Sequence, residues 1–371
     1  MNARPRVAVI GAGISGLACA LTLERHGIFP DIFEQRHRSG ETFPHVGGIL
    51  QLLNRPVKDQ VAYLHQKLGL PIRPLARLQK VVMHAPNASG TVTGNLGYLF
   101  LRGQDEGSVE SQLSSLLQSP VRYNCRADWR ELSGKYDFVV VADGTDQAPR
   151  TLGLWQEIIS TWVRGAAVLG DFDPHTLLMW LNTSYCRHGY AYLTPFSRRR
   201  ASLVLIVTDS NADEAEEMWR LFWKVEKLPY QEVESFSLPH TSGYCYPPQV
   251  GNVLLVGNAG GFMEPFLGFG LMGALKSGFL AGLAIAQGTP YTALTAGLRR
   301  QILQALSYRR LLNSLSDAHF NVLVKLLAAP PLKQLIYHTN IDIFKYGALT
   351  LDLIERLTQK IRPRNRRMPV P

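Results

Sequence analysis

The chain has 371 residues, which is too long for one simple hydrophobic core and favours two domains that pack closely together. Hydrophobic residues make up 46% and charged residues 18%, so the composition excludes a disordered or low-complexity protein. The four cysteines form no C-x-x-C pair, and we therefore expect neither a metal site nor a disulfide framework.

The net charge of +10 is concentrated in a basic C-terminal region, residues 289–371. Thirteen basic and four acidic residues lie there, which accounts for nine of the ten excess charges. We expect this region to make peripheral contact with an anionic membrane surface or to bind an acidic partner. Its arginine-rich end, residues 362–367, lacks interleaved aromatic residues and any recognition motif, so specific nucleic-acid binding is not expected.

The first predicted elements form a βαβ unit. Residues 6–10 are predicted to be a buried strand, and a glycine-rich turn, a helix over about 15–26 and a second strand over 30–34 follow. The N-terminus enters this strand without the apolar stretch and cleavage site of a signal peptide, which favours a cytoplasmic protein. A helix is predicted next over 57–69, and alternating apolar and polar residues predict antiparallel strands over 76–101.

The middle of the chain is predicted to be rich in strands. A helix over 106–118 and an apolar strand over 136–142 precede it, and the strand-rich part runs from about 151 to 249 with one helix over 213–227. Another buried strand over 253–257 leads into a glycine-rich helix that ends near residue 286. Beyond residue 290 the pattern is helical.

The order of these elements predicts a cofactor domain made of separated pieces of chain, with a substrate domain inserted between them. The predicted domains are residues 1–75, 101–155 and 250–288 for the discontinuous cofactor domain, residues 76–100 and 156–249 for a β-sheet substrate domain, and residues 289–371 for a C-terminal helical region.

The turn of the first βαβ unit carries a G-x-G-x-x-G motif from Gly11 to Gly16. Gly11 permits the tight turn, Gly13 lets the backbone approach a pyrophosphate, and Gly16 lets the helix pack closely on the strand. The first N–H groups of the helix and its dipole favour the phosphates. Glu34, at the end of the second strand, is expected to accept hydrogen bonds from the adenosine ribose.

Two more motifs follow in order along the chain. Residues 139–145 have the sequence VVVADGT, and residues 256–270 contain VGNAGG and EPFLGFG. With the first motif, this ordered set resembles the p-hydroxybenzoate hydroxylase-type flavoprotein superfamily over residues 1–286. The resemblance implies an α/β fold in which an FAD-binding Rossmann-like (GR2-type) domain carries an inserted β-sheet substrate domain and a C-terminal helical region. It also implies that FAD binds without a covalent bond.

The resemblance assigns roles to individual positions. Asp143 and Gly144 would lie near the FAD pyrophosphate and the flavin cleft. Asn258 stands where the family has an aspartate that bonds the ribityl chain, and an amide can still accept and donate hydrogen bonds there. Arg102 falls near a family arginine that contacts the cofactor; the alternative is a solvated arginine at the end of a strand.

The resemblance also implies that glycine-containing backbone lies close to the flavin ring. Pro265, Gly268 and Gly270 fall where the family backbone passes the isoalloxazine ring, and the helix that follows can stabilise negative charge there. The expected FAD contacts are Gly11, Gly13, Ser15, Gly16, Glu34, Gln35, Arg36, Gly47, Gly48, Arg102, Asp143, Gly144, Asn258, Ala259, Pro265, Gly268, Gly270 and Leu271.

The candidate catalytic residues are His45, Tyr190 and Tyr192. The segment 189–196 resembles the Y-x-W-x-F-P element that lines the substrate cavity of geranylgeranyl reductases, and the related W-x-W-x-I-P element of flavin-dependent halogenases. Tyr192 replaces the family tryptophan and Thr194 replaces the aromatic residue. The two tyrosines are expected to offer aromatic surface to an apolar ligand, or else to be ordinary core residues. His45 is a candidate proton donor or a structural histidine, and the cysteine that many geranylgeranyl reductases carry in this loop is missing.

These features favour a geranylgeranyl reductase-like, FAD-dependent oxidoreductase that reduces a C=C bond of an isoprenoid or other apolar substrate. The first alternative is an FAD-dependent monooxygenase of an aromatic or polycyclic small molecule that uses NAD(P)H and O2. The second is an FAD-binding scaffold without activity. No second G-x-G-x-x-G motif indicates a separate NAD(P)H domain, so the electrons are expected from transiently bound NAD(P)H or from another protein.

Overall fold

The structure is a computed structural model that describes residues 4–40, 43–103, 105–339, 341–342 and 344–348. The arginine-rich end over 362–367, with its expected lipid or partner contact, lies outside the described residues. The strands are Val7–Ile10 (β1), Asp31–Phe33 (β2), His45–Leu50 (β3), Ala76–Ala85 (β4), Ala88–Arg102 (β5), Val121–Arg122 (β6), Phe138–Val141 (β7), Trp155–Leu169 (β8), Thr176–Trp180 (β9), Tyr190–Pro195 (β10), Arg200–Thr208 (β11), Gln231–Cys245 (β12), Gln249–Val250 (β13) and Val253–Leu255 (β14).

Helices connect these strands and cover both sheets. The α-helices are Ile14–Arg25 (α1), Gln60–Leu68 (α2), Val109–Ser114 (α3), Trp129–Ser133 (α4), Gln147–Thr151 (α5), Thr183–Cys186 (α6), Ala212–Glu226 (α7), Leu271–Gln287 (α8), Tyr291–Leu294 (α9), Ala296–Asn313 (α10), Asp317–Ala328 (α11) and Pro330–Tyr337 (α12), and a 3-10 helix spans Gln51–Asn54. In the part of the chain that the structure describes, no helix is long and apolar enough to cross a membrane.

The first sheet has six strands in the order β13-β14-β7-β1-β2-β6, and all its pairs are parallel except β13 with β14. Every residue of β1 is buried, as expected for a parallel strand that is covered on both faces. The strands come from three distant parts of the chain, and their parallel pairing confirms the predicted Rossmann-like sheet.

Helices α1 and α8 pack side by side on this sheet. Their close contact depends on glycine, because a Cβ added at Gly282 would lie 2.8 Å from the carbonyl oxygen of Cys19. Gly278 likewise lies against the backbone of Ser15, with no room for a side chain. This contact brings the start of α8, and the loop before it, next to the glycine-rich turn of α1.

The second sheet has eight strands in the order β12-β8-β11-β10-β9-β4-β5-β3. Its pairs are antiparallel except β4 with β9. The inserted sheet and the helices after it agree with the predicted fold. Residues 45–50, however, which the sequence placed within the cofactor domain, form β3 at the edge of this sheet. They lie there because β3 pairs in antiparallel register with β5, with His45 opposite Arg102.

Helices α11 and α12 lie on the second sheet, whereas α9 packs against α8 beside the first sheet. Phe320 and Val324 of α11 are fully buried, and the helix approaches β5 so closely that a Cβ added at Gly90 would be 2.7 Å from the carbonyl oxygen of Val324. Arg55 reaches the same region and donates hydrogen bonds to the carbonyl oxygens of Ile336 and, over 2.7 Å, of Ile341. The described C-terminal segment therefore packs on the folded body.

Candidate cofactor and substrate site

One large cavity, of about 740 Å³, lies between the two sheets. Its walls include every residue that the sequence nominated as a site residue except Gly16, Ala259 and Pro265. Gly16 has its predicted packing role, since its Cα lies against the carbonyl group of Gly11. Ala259 is fully buried in the core beside the first sheet, and Pro265 is also buried, so neither side chain reaches the cavity.

The glycine-rich turn forms one end of the cavity. Gly11 has φ +100°, and a Cβ added there would lie 2.5 Å from the carbonyl oxygen of Ala142, so only glycine fits. Gly13 is the N-cap of α1 and offers no side-chain cap, which leaves the first N–H groups of the helix open. An added Cβ at Gly13 would meet only Ala142, at 4.0 Å. An uncapped helix start beside bare backbone suits an anion such as a diphosphate.

Glu34 braces this turn from the second strand. Its Oε2 atom accepts a hydrogen bond of 2.8 Å from the N–H of Ala12, and its Oε1 atom accepts one of 2.9 Å from the N–H of Arg36. A carboxylate has about four lone-pair sites, so these two bonds leave acceptor capacity facing the cavity. The expected contact with a ribose stays a prediction.

Asn258 connects the second motif with the third. Its side-chain N–H donates a hydrogen bond of 3.0 Å to the carbonyl oxygen of Gly144. The carboxyl group of Asp143 accepts 3.0 Å bonds from the backbone N–H and the hydroxyl of Thr145, and burial raises its pKa. These contacts fix the turn after β7 as a wall of the cavity.

His45 and Arg102 face each other across β3 and β5, and both line the cavity. Burial and the nearby positive charge of Arg102 lower the pKa of His45 to about 3, so its imidazole is neutral at neutral pH. Arg102 is neutralised in turn by Glu110, whose carboxylate lies 2.7 Å from its Nε atom. A neutral His45 can make hydrogen bonds, but it holds no imidazolium proton to deliver near pH 7.

The second sheet closes the other end of the cavity with aromatic and apolar side chains. Tyr190 and Tyr192 lie on one face of β10 with ring centroids 5.8 Å apart, and Tyr190 donates its hydroxyl hydrogen to the carbonyl oxygen of Leu267. Phe43 stacks on Phe236 at 3.6 Å. Further apolar walls come from Val163, Val204, Ile206, Leu238, Met263 and Phe269.

Several of these cavity residues were not predicted from the sequence. Phe43, Phe236 and His240 belong to no motif, and the fold alone brings them to the cavity. Glu264 was also missed as a site residue, although a single acidic residue within an apolar stretch is a signal that a charge is buried for a reason.

FAD is the cofactor that the sequence motifs imply, and the residues present fit it. The Oδ1 atom of Asn258 is buried and has no hydrogen-bond partner among the described residues, so a polar group is needed beside it. Gly144 and Gly268 have positive φ, and an added Cβ would meet nothing within 4 Å at either position. The space beside the backbone at these two glycines is therefore open to a ligand. The volume also lies in the range typical of ligand sites.

Comparison with known proteins agrees with this geometry. Residues 9–48 match the NAD(P)-binding Rossmann-like domain family. No curated protein sequence matches the chain. A geranylgeranyl bacteriochlorophyll reductase-like protein from Thermoplasma acidophilum is 15% identical with a TM-score of 0.75, and the match covers 94% of this chain and 99% of that one.

Two solved structures of flavin-dependent enzymes are also similar. The halogenase CmlS is 16% identical, with a TM-score of 0.62 over 97% of this chain and 78% of its own. A flavin-dependent brominase is 16% identical, with a TM-score of 0.65 over 96% of this chain and 100% of its own. The chain therefore has the fold that the p-hydroxybenzoate hydroxylase-type motifs implied, shared by a geranylgeranyl reductase-like protein and flavin-dependent halogenases.

Proposed function

We propose that the chain is an FAD-dependent oxidoreductase that reduces a C=C bond of an isoprenoid or other apolar substrate. The observation that carries this proposal is the continuity of the cavity, which joins the dinucleotide-type turn at one end to aromatic and aliphatic walls at the other. The likeness of the fold to a geranylgeranyl bacteriochlorophyll reductase-like protein, over nearly the whole of both chains, supports it.

When bound, FAD would supply the two-electron redox chemistry. The protein would hold its diphosphate with the open N–H groups at the start of α1, and its polar chain with Asn258. The glycines at 268 and 270 would let the backbone approach the ring system closely. Electrons would come from NAD(P)H or from another protein.

The far end of the cavity favours an apolar substrate. Its walls are rings and branched aliphatic side chains, which exclude water and cannot satisfy a strongly polar ligand. His240 also lines this side, and burial lowers its pKa, so it adds no positive charge at neutral pH. Its Nε2 atom is also occupied by the sulfur of Met263 at 2.9 Å.

Reduction of a C=C bond adds a hydride to one carbon and a proton to the other, so a proton source is needed near the substrate. Tyr192 fits this role, because its half-buried ring lines the cavity and its hydroxyl has no hydrogen-bond partner among the described residues. Burial raises the pKa of Tyr192 to about 12, which keeps the proton on the hydroxyl at neutral pH. The other two candidates fit this role less well. The hydroxyl of Tyr190 already donates its hydrogen bond to the carbonyl oxygen of Leu267, and His45 is neutral and has no imidazolium proton to deliver.

The test compares anaerobic and aerobic chemistry. The purified protein is reconstituted with FAD, reduced without oxygen, and mixed with a polyprenyl alcohol. Reoxidation of the flavin, together with a product that has gained two hydrogen atoms, supports the reductase. A hydroxylated aromatic product that forms only with O2 and NAD(P)H indicates the monooxygenase instead, and a flavin that no donor reduces indicates a scaffold.

A further inference from the structure

We propose that Glu264 and Arg309 form a loop clamp, a pair of positioning residues that fixes the loop over residues 265–270 against the cofactor. The identity of the ligand rests on the proposed function, whereas the clamp itself rests on contacts within the chain. It makes the C-terminal helical region a part of the site, because Arg309 belongs to α10.

Glu264 binds the loop from within. Its carboxylate accepts hydrogen bonds from the backbone N–H groups of Phe266 at 2.8 Å, of Leu267 at 3.0 and 3.2 Å, and of Phe269 at 3.0 Å. Its own carbonyl oxygen accepts a further bond of 3.0 Å from the N–H of Gly268. One residue therefore occupies four successive donors of a loop that has no regular secondary structure.

Arg309 binds the same loop from the opposite side. Its guanidinium donates to the carbonyl oxygen of Phe266 at 3.2 Å and to that of His188 at 2.6 Å, while its Nε atom donates to the side chain of Asn313 at 2.8 Å. The side chain is only 3% exposed. His188 lies just before β10, the strand of the second sheet that carries Tyr190. One guanidinium therefore connects α10, the loop and the second sheet.

Glu264 and Arg309 form no direct ion pair within the described chain, but each affects the ionisation of the other. Burial raises the pKa of Glu264 to about 7, and Arg309 and the three N–H bonds oppose that rise. Burial lowers the pKa of Arg309 to about 10, and Tyr190 and Glu264 oppose that fall. Both side chains bind the peptide groups of Phe266, Glu264 at its N–H and Arg309 at its carbonyl oxygen, so the pair is expected to act as a unit.

The clamp leaves two particular donors for a ligand. The carbonyl oxygen of Leu267 accepts a hydrogen bond from the hydroxyl of Tyr190, so one side chain of the second sheet holds the loop together with the clamp. Gly270 is the N-cap of α8 and provides no side-chain cap. Within the described chain, the N–H groups of Gly270 and Leu271 have no hydrogen-bond partner, and both residues line the large cavity. The clamp thus fixes the direction in which these donors point.

Hydrogen–deuterium exchange of the protein without added FAD tests the clamp directly. We expect Glu264→Gln and Arg309→Met to speed exchange in peptides covering residues 265–271 by about tenfold, because each loses bonds that close the loop. Arg309→Lys keeps the charge but cannot span two carbonyl groups, and is expected to give an intermediate rate. Glu217→Gln on α7 and Arg300→Met on α10 are exposed control substitutions and should match the wild type.

Titration with FAD gives a second readout, and the midpoint potential of the bound flavin is the quantity that a loss of stability alone would not move. The dissociation constant for FAD is expected to rise about tenfold in Glu264→Gln and Arg309→Met, and the midpoint potential of bound FAD is expected to shift, while Arg309→Lys restores most of the affinity. Unchanged exchange in both Glu264→Gln and the milder Arg309→Lys would overturn the clamp. A wild type that binds no FAD but still shows the exchange pattern would refute the proposed function and leave the clamp standing.

Discussion

The side-chain amide of Asn258 donates a hydrogen bond of 3.0 Å to the backbone carbonyl of Gly144, and so joins two cavity loops that lie 114 residues apart. The other face of the amide, its Oδ1 atom, is buried without a partner among the described residues. The nitrogen of this side chain therefore stabilises the fold, and its oxygen is available to accept a hydrogen bond from a ligand. An aspartate, the residue that the sequence resemblance implies at this position, could not make the same bond, because a carboxylate is only an acceptor when ionised.

Asn258→Asp is therefore expected to weaken FAD binding. A carboxylate oxygen would face the carbonyl oxygen of Gly144, and the loop would have to move to separate them. We expect the dissociation constant for FAD, measured by quenching of flavin fluorescence, to rise about tenfold. Asn211→Asp is the matched control, because Asn211 is an exposed helix N-cap and aspartate caps a helix equally well. Equal or tighter binding by Asn258→Asp would show that the bond to Gly144 is not needed.

A comparison of Gly144→Ala with Gly251→Ala should distinguish a loss of stability from a loss of FAD binding. Gly144 and Gly251 both have positive φ and open space where a Cβ would be added, but only Gly144 lines the cavity. Alanine at either position is expected to lower the free energy of unfolding by about 1 kcal/mol, because the left-handed conformation is unfavourable for a residue with a Cβ. Only Gly144→Ala should also lose FAD affinity. Equal affinity of the two variants for FAD would place the cofactor elsewhere.

Tyr192→Phe is expected to slow reduction of the substrate by about 100-fold, because it removes the hydroxyl that would deliver the proton. FAD affinity and the melting temperature should stay near those of the wild type, since the hydroxyl bonds to no described residue. Stopped-flow reoxidation of the reduced enzyme by substrate measures the rate. Tyr246→Phe, at a half-exposed ring outside the cavity, is the control. A rate unchanged in Tyr192→Phe would move the proton source to another group or to water.

His45 should make the protein lose stability in mild acid. Its pKa is about 3 in the folded protein and near 6.5 when unfolded, so between these values the unfolded chain binds a proton that the folded protein does not. The free energy of unfolding is therefore expected to fall as the pH drops from 6.5 towards 3, by on the order of a few kcal/mol in total.

His45→Gln should remove most of that loss. Urea denaturation at pH 7 and again at pH 4.5 measures the difference between the two proteins. The substitution is expected to narrow the gap between the two conditions. Parallel behaviour of wild type and variant across this range would mean that His45 is exposed to solvent or already protonated in the folded state.

Much of the cofactor end could be predicted from sequence because its information is local. The turn between Gly11 and Gly16 lies within one strand–helix corner, and its glycine spacing can be read directly from the sequence. The contact that requires glycine at Gly11, however, is with Ala142 on a distant part of the chain. Helix ends were harder to predict. The helix expected over 57–69 begins at Gln60, because the side chain of Asp59 accepts the N–H of Ala62 and so ends the preceding turn.

The substrate end depends on pairs that no local pattern contains. Phe43 meets Phe236 across nearly two hundred residues, and β3 joins the second sheet only because its partner β5 is there. Ala259 was among the expected cofactor contacts, yet its small side chain is buried in the core. Periodicity and motif spacing say which residues are apolar or glycine, but long-range packing decides which of them meet.

The order of strands in the first sheet has a consequence for biosynthesis. β7 lies between β1 and β14, which are separated by more than two hundred residues in the chain. A ribosome releases β1 early, and domains complete only when their last elements emerge. The large cavity is therefore unfinished until Asn258 and α8 have left the exit tunnel. A chain truncated before that point by a premature stop codon would be unable to retain its cofactor, however well its first βα corner had formed.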